Sequence, residues 1–129
     1  MSYYFSKTLS GVTFDDALER VAEALKGQGF GILTEIDVRE AMKTKLGVDF
    51  RSYRILGACN PPLAYEALQR EDKIGTMLPC NVIVQELEGG EIEVSAVDPV
   101  ASMQAIDNPD LRDLADSVRA KLRKVIESL

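Results

Sequence analysis

The spacing of apolar residues changes several times along the chain, and each change marks a new element. Short apolar runs with partial alternation predict strands over residues 2–9, 30–36, 50–58, 82–87 and 92–97. Apolar residues three or four positions apart predict helices over residues 14–27, 38–46, 61–72 and 109–129. The predicted order is therefore strand, helix, strand, short helix, strand, helix, a hairpin of two strands, and a long final helix.

Residues typical of helix starts stand at the places where these patterns change. Thr13 is followed three positions later by Asp16, a pairing typical of a capped helix start. Asp37 predicts the start of the short helix. Asn60 precedes Pro61, and proline at the first helical position gives up an amide that has no partner in the helix anyway. We therefore expect a helix to begin at each of these points.

The predicted hairpin turns at Gly89 and Gly90, because two glycines suit a two-residue turn that needs positive φ. With Glu88 opposite Glu91, one face of the hairpin would pack on the core and would carry Ile83, Leu87, Ile92, Val94 and Ala96. The other face would carry Val82, Val84 and Val97. The same register would place Asn81 opposite Asp98.

This order of elements predicts an α+β fold with two layers, in which helices cover one face of a largely antiparallel sheet. Residues 1–129 are predicted to form a single domain. The three valines on the other face would then be exposed, and an exposed β-branched patch indicates a partner. A second copy of the chain is the simplest partner, so a homodimer is expected. Alternatively, the short helix or a loop covers these valines.

The charge of the chain limits its partners. It has 21 acidic and 15 basic residues, which gives a net charge of -6, and no basic run precedes the last helix. Because nucleic acids are bound by dense Lys and Arg, we expect no nucleic acid partner. An anionic membrane surface is disfavoured for the same reason.

Other classes of protein are disfavoured by what the sequence lacks. It has neither the start of a signal peptide nor an apolar run near the ~18 residues of a membrane span. We therefore expect a cytoplasmic protein, in which thiols stay reduced. Histidine is absent, which excludes Ser/His and Cys/His catalysis and imidazole metal ligands. No sequence motif identifies a cofactor.

The candidate chemistry lies in two short motifs, Ala-Cys-Asn-Pro at residues 58–61 and Leu-Pro-Cys-Asn at residues 78–81. Each lies at a junction between strand and loop, and together they contain the two cysteines of the chain. If the third and fourth strands are antiparallel neighbours, the end of one lies beside the start of the other. One corner of the sheet would then bring together the candidate site residues Cys59, Asn60, Cys80, Asn81 and Asp98.

Several interpretations of this corner remain open. A thiolate at Cys59 would lie near the positive end of a helix, but two prolines remove amides that would bond it. A redox pair is possible, although the spacing is not that of a Cys-X-X-Cys motif. A small ligand or a metal ion could bind, but two cysteines cannot complete a zinc site unless Asp98 or a second copy contributes. Finally, both cysteines could simply pack in the core, with Asn60 acting only as a helix cap.

Glu35 and Asp37 form a second candidate pair, because residues two apart on a strand point to the same face. Paired carboxylates can act as acid and base or hold a hard cation. Asp37 is also the expected cap of the short helix, and Glu35 could simply be solvated.

Three segments, residues 55–61, 78–82 and 97–99, resemble in this order the bacterial and archaeal family called domain of unknown function 302. The resemblance extends over nearly the whole chain. It implies an antiparallel α+β domain with a layout similar to the TATA-binding-protein fold, often found as a dimer, and it implies no activity. DNA binding does not follow from the fold alone. The resemblance also supports Cys59, Asn60, Cys80 and Asn81 as a shared site.

The sequence thus predicts a binding or sensing module that uses the corner containing Cys59 and Cys80. In this hypothesis the two cysteines contact a small molecule or a metal ion, and Asn81 and Asp98 orient it. A thiol-redox enzyme that uses both cysteines is the first alternative. A structural homodimer with cysteines in its core is the second.

Overall fold

The computed structural model describes residues 2–129, which form one sheet with helices packed on one of its faces. In chain order, the strands and helices are β1 (Tyr4–Leu9), α1 (Phe14–Gly27), β2 (Gly31–Asp37), α2 (Val38–Leu46), β3 (Tyr53–Cys59), α3 (Pro61–Arg70), β4 (Cys80–Glu86), β5 (Ile92–Val97), α4 (Pro99–Ser102) and α5 (Arg112–Glu127). Two 3-10 segments, Asp72–Met77 and Pro109–Leu111, complete the order. The two-layer α+β fold predicted from the sequence is confirmed.

The sheet has five strands in the order β1-β5-β4-β3-β2, and every neighbouring pair is antiparallel. The third and fourth strands are neighbours, as the sequence analysis assumed. Ala58 at the end of β3 therefore lies opposite Cys80 at the start of β4.

The predicted caps form in the structure. The side chain of Thr13 accepts a hydrogen bond from the backbone N–H of Asp16 at 3.0 Å, and Asp37 accepts one from Glu40 at 3.0 Å. Asn60 caps α3 by accepting from Leu63 at 3.5 Å. Each bond satisfies an amide that the first turn of a helix leaves without a partner.

The hairpin has a different register from the one predicted. Glu86 lies opposite Ile92, so the turn spans three residues, 88–90, and Gly90 adopts a φ of 86°. A three-residue turn closed by glycine in the left-handed region is also a common hairpin loop. The pairing is therefore displaced by one residue.

A displacement of one residue exchanges the two faces of a strand. Val82 and Val84 are fully buried, opposite Ala96 and Val94, whereas Ile83 lies on the other face. The predicted exposure of Val82 and Val84 was wrong, and so was the assignment of Ile83 to the core. The predicted core positions on β5, at Ile92, Val94 and Ala96, are buried as expected.

Buried side chains form two clusters. The larger one lies between the sheet and helices α1 and α5. The smaller one contains Ala67 of α3, Ile74 and Leu111 of the two 3-10 segments, and Leu114 of α5. Within residues 2–129, no helix combines the length and apolar character needed to cross a membrane.

Candidate functional site

A cavity of about 270 Å³ lies where the two buried clusters meet, and we call it the cysteine cavity. It is bounded by the ends of β3 and β4, by α3 and by α5. Its lining includes Phe30, Leu33, Cys59, Asn60, Leu63, Ala64, Leu68, Leu78, Cys80, Met103, Leu114 and Val118. Among residues 2–129, no Asp, Glu, Lys or Arg side chain lines it, so this lining is apolar and uncharged.

Both cysteines are among the residues that line this cavity. Cys80 is 8% exposed and Cys59 is half-buried, and neither forms a disulfide. Cys59 is the residue after Ala58, which pairs directly with Cys80 across the sheet. Cys59 and Cys80 therefore lie on neighbouring strands at the same end of the sheet.

The buried position of Cys80 changes its acidity. Burial raises the pKa of the Cys80 thiol from 9.0 to about 11, and the nearby Cys59 adds to this rise electrostatically. Cys80 is therefore a neutral thiol at neutral pH. Among residues 2–129, no hydrogen bond to its sulfur is formed, so its S–H is available to something in the cavity.

Asn60 is held by the protein on both sides of its amide. Its oxygen caps α3, and its Nδ2 donates to the carbonyl oxygen of Gln28 at 3.4 Å. Gly29 makes this contact possible, because a Cβ there would lie 3.1 Å from Nδ2 of Asn60. Asn60 is thus a structural residue at the wall of the cavity.

Asn81 and Asp98 are not in the cavity. Asn81 is exposed on the face of the sheet away from the helices, opposite Gly57. The predicted register that placed it opposite Asp98 was wrong, because the hairpin turn has three residues. Only Cys59, Asn60 and Cys80 of the five candidate residues therefore line one site.

Asp98 has a different task from the one predicted. Its carboxylate accepts a hydrogen bond from the backbone N–H of Val100 at 3.0 Å and so caps α4. The other carboxylate oxygen lies 3.4 Å from Nε of Arg119 on α5. The motif Asp-Pro resembles the Asn60-Pro61 helix start, so the sequence did contain the signal for α4.

Glu35 and Asp37 share one face of β2, as the spacing predicted, but they hold a guanidinium. Arg54 of β3 lies 3.0 Å from the carboxylate of Glu35 and 3.3 Å from that of Asp37. Asp37 also caps α2. The Arg54 guanidinium and the cap of α2 account for both carboxylates without a bound metal ion.

Metal ligands are scarce in this arrangement. Across residues 2–129, no group of three or more His, Cys, Asp or Glu side chains is placed to hold a metal ion. A tetrahedral zinc site needs four ligands. One chain therefore brings together only the two thiols.

The side of the sheet away from the helices, which we call the open face, is the second feature of interest. Its residues come from alternate positions of all five strands: Tyr4, Ser6, Thr8, Thr34, Ile36, Tyr53, Ile55, Gly57, Asn81, Ile83, Gln85, Glu93, Ser95 and Val97. Glu93 accepts a hydrogen bond from Gln85 at 3.0 Å, and Arg51 at the edge donates to Gln85 at 2.8 Å. The open face is therefore nearly uncharged.

Sequence and structure comparisons agree on one family. The family model described as domain of unknown function DUF302 matches residues 5–129. The crystal structure of an uncharacterized conserved protein DUF302 from Bacillus stearothermophilus is similar, with a TM-score of 0.90 and 26% sequence identity over 98% of each chain. No protein with a curated description matches.

Proposed function

Since this chain belongs to the family domain of unknown function DUF302, whose name states no activity, we propose a function from the site itself: the protein binds a small, uncharged, apolar molecule in the cysteine cavity. The observation that carries this proposal is the cavity's combination of size and lining. Small-molecule sites are clefts lined mainly by apolar side chains. The lining residues of this cavity of about 270 Å³ include none that is charged.

The size of the cavity limits the ligand. Small-molecule sites commonly measure roughly 300–1,000 Å³, so a cavity of about 270 Å³ suits a single aromatic ring or a short alkyl chain. Leu33 and Leu68 line the cavity and are 67% and 44% exposed. Apolar side chains therefore extend from the cavity to the surface, where an apolar molecule would enter.

The lining also indicates which ligands should be rejected. Of the described lining residues, Asn60 has the one side-chain amide, and this amide already bonds the backbone on both sides. A ligand hydroxyl would find only thiols as side-chain partners, and a polar group buried without a good partner costs about 1–3 kcal/mol. We therefore expect the cavity to select against polar molecules of the same shape.

Binding of toluene and phenol tests the proposal, because the two differ chiefly in the hydroxyl. Titration of the full chain, followed by NMR chemical shifts, should show toluene binding and phenol binding about tenfold more weakly. Ala64→Leu, which fills the cavity, should abolish toluene binding. Ala120→Leu, the same change at an exposed position of α5, should leave it intact. Toluene binding that survives Ala64→Leu would locate the ligand elsewhere and refute the proposal.

A thiol-redox enzyme is less well supported by these surroundings. The thiolate is the attacking form in thiol chemistry, and burial keeps the Cys80 thiol protonated because its pKa rises to about 11. Pro61 and Pro62 follow Asn60 at the start of α3, so two backbone amides that could stabilise a thiolate at Cys59 are missing.

We also propose that the open face packs against a second copy of the chain, which would make the protein a homodimer. Tyr4 and Ile36 on this face are 45% and 50% exposed. The chain carries a net charge of -6, yet Glu93 is the one charged side chain in the set that defines the open face. Two copies could therefore approach through this face with little repulsion. The mass of the protein in solution measures this directly.

A further inference from the structure

A second cavity, of about 420 Å³, lies between the start of α5 and the chain segment that leads into it, residues 100–109. We call it the loop cavity. Its apolar lining includes Met103, Ile106 and Leu111. Met103 and Leu111 also line the cysteine cavity, so the two cavities adjoin. The volume of the loop cavity is within the roughly 300–1,000 Å³ that is usual for small-molecule sites.

Charged side chains of both signs also line the loop cavity. Asp107 lies on the loop, and Arg112 and Asp116 lie on α5. Arg112 and Asp116 are four positions apart, a spacing that places two side chains on the same face of a helix. Among residues 2–129, however, no ion pair involves any of these three side chains. Both signs of charge are therefore available to a ligand.

The loop that carries Asp107 is fastened to the rest of the protein. The Nδ2 of the next residue, Asn108, donates to the carbonyl oxygen of Arg70 at 3.0 Å, and its Oδ1 accepts from the backbone N–H of Asp110 at 3.0 Å. Arg70 in turn donates to the carbonyl oxygen of Asp110 at 2.6 Å. These bonds join the loop to the end of α3, and a site that is ordered before its ligand arrives has less entropy to lose on binding.

We propose that the loop cavity binds an α-amino acid with an apolar side chain. The Arg112 guanidinium would pair with the carboxylate of the ligand, because its parallel N–H groups match the two carboxylate oxygens. The carboxylates of Asp107 and Asp116 would hold the ammonium group of the ligand. Its side chain would lie on the apolar lining. Because two of the three charges are negative, the ammonium group should contribute more to binding than the carboxylate.

Three probes that share one branched alkyl chain test this site: leucine, isopentylamine, which lacks the carboxylate, and isocaproate, which lacks the amine. Each is titrated into the full chain and followed by NMR chemical shifts. The three charged side chains are exposed, so each ion pair is worth at most about fivefold in affinity. Leucine should bind most tightly, isopentylamine up to about fivefold more weakly, and isocaproate most weakly.

Substitutions assign each charge to its partner. Arg112→Gln should weaken leucine binding by up to about fivefold and should not weaken isopentylamine binding. Asp116→Asn should weaken the binding of both. Asp113→Asn is the matched control, because Asp113 is an exposed carboxylate of α5 outside the lining of the loop cavity, and it should leave all three affinities unchanged. All three substitutions are at exposed positions, so the variants should fold.

Several results would overturn this site. Equal affinities for the three probes, or leucine binding that Arg112→Gln leaves intact, would show that the charges do not recognise the ligand. Leucine binding that Ala64→Leu abolishes would place the ligand in the cysteine cavity instead. An absence of shifts with leucine would exclude the site altogether. The titrations contain no toluene, so they can fail while toluene binding in the cysteine cavity stands.

Discussion

Cys59 and Cys80 lie on the wall of one cavity, yet their surroundings differ. Cys80 is buried, whereas Cys59 is half-exposed at the end of β3. Burial disfavours the charged form of a thiol, which raises the pKa of Cys80 to about 11. At pH 8 only about one Cys80 in a thousand would carry the thiolate that attacks an electrophile.

We therefore expect iodoacetamide at pH 8 to leave Cys80 unmodified in the folded protein and to modify it after unfolding in urea. Peptide mass spectrometry measures the extent at each cysteine. Modification of native Cys80 at the rate of a free thiol would show that the residue is not protected in this way.

The same shift in pKa makes a prediction about stability. The folded protein holds the Cys80 proton over a pH range in which the unfolded chain loses it, so this contribution is complete below pH 9 and is lost as the pH rises toward 11. Stability should fall by up to about 1.4 kcal/mol per pH unit in this range. Urea unfolding of the wild type and of Cys80→Ala isolates the effect, because the slope should be shallower in the variant.

Single residues account for much of what the sequence could predict. Thr13, Asp37 and Asn60 mark helix starts because their side chains replace missing backbone partners, a local effect that needs no knowledge of the fold. That Cys59 and Cys80 line the same cavity followed from one assumption, that β3 and β4 are antiparallel neighbours. The pair Asp98 and Arg119 depends on how α5 crosses the sheet, and no local pattern specifies that.

At the level of elements, one turn decided which predictions failed. Gly89-Gly90 is compatible with a two-residue or a three-residue turn, and the sequence contains nothing that distinguishes them. The three-residue turn moves Val82 and Val84 into the core and Ile83 to the open face. It also separates Asn81 from Asp98. The alternation of apolar and polar residues in β4 could not reveal this error in register, because β4 has apolar residues on both of its faces.

Strand β3 also contains the tightest backbone approach near the site. A Cβ on Gly57 would overlap Oγ1 of Thr34 on β2 and would lie 2.7 Å from Cγ of Pro79, next to Cys80. Gly57→Ala should therefore destabilise the protein by about 1–3 kcal/mol, the usual cost of overpacking. Because Pro79 lines the cysteine cavity, the variant should also bind toluene more weakly.

Gly31→Ala on β2 is the matched control for this change. Nothing lies within 4 Å of a Cβ at Gly31, and alanine in a strand loses less conformational entropy than glycine. Urea unfolding should show Gly31→Ala to be neutral or slightly stabilising. Equal stability of the two variants would mean that the close packing around Gly57 is not important.

The whole molecule has its helices on one face of the sheet, and this arrangement explains both proposals. Helices α3 and α5 meet beside the ends of β3 and β4, where the two buried clusters leave the cysteine cavity between them. On the opposite face of the sheet, Tyr4 and Ile36 remain 45% and 50% exposed. Of the three valines on which the homodimer prediction rested, Val97 lies on the open face, whereas Val82 and Val84 are buried on the other side.

Two isoleucines of β2 allow the open face to be tested in the intact protein. Ile36 lies on the open face opposite Ile55, whereas Ile32 lies opposite Ala58, on the side of the helices; they are 50% and 39% exposed. If two copies pack through the open face, the wild type should sediment at twice its mass of 14.2 kDa. Ile36→Lys should then give the monomer, because it would place like charges inside the contact. Ile32→Lys should remain a dimer, and a wild type that sediments as a monomer would refute the interface.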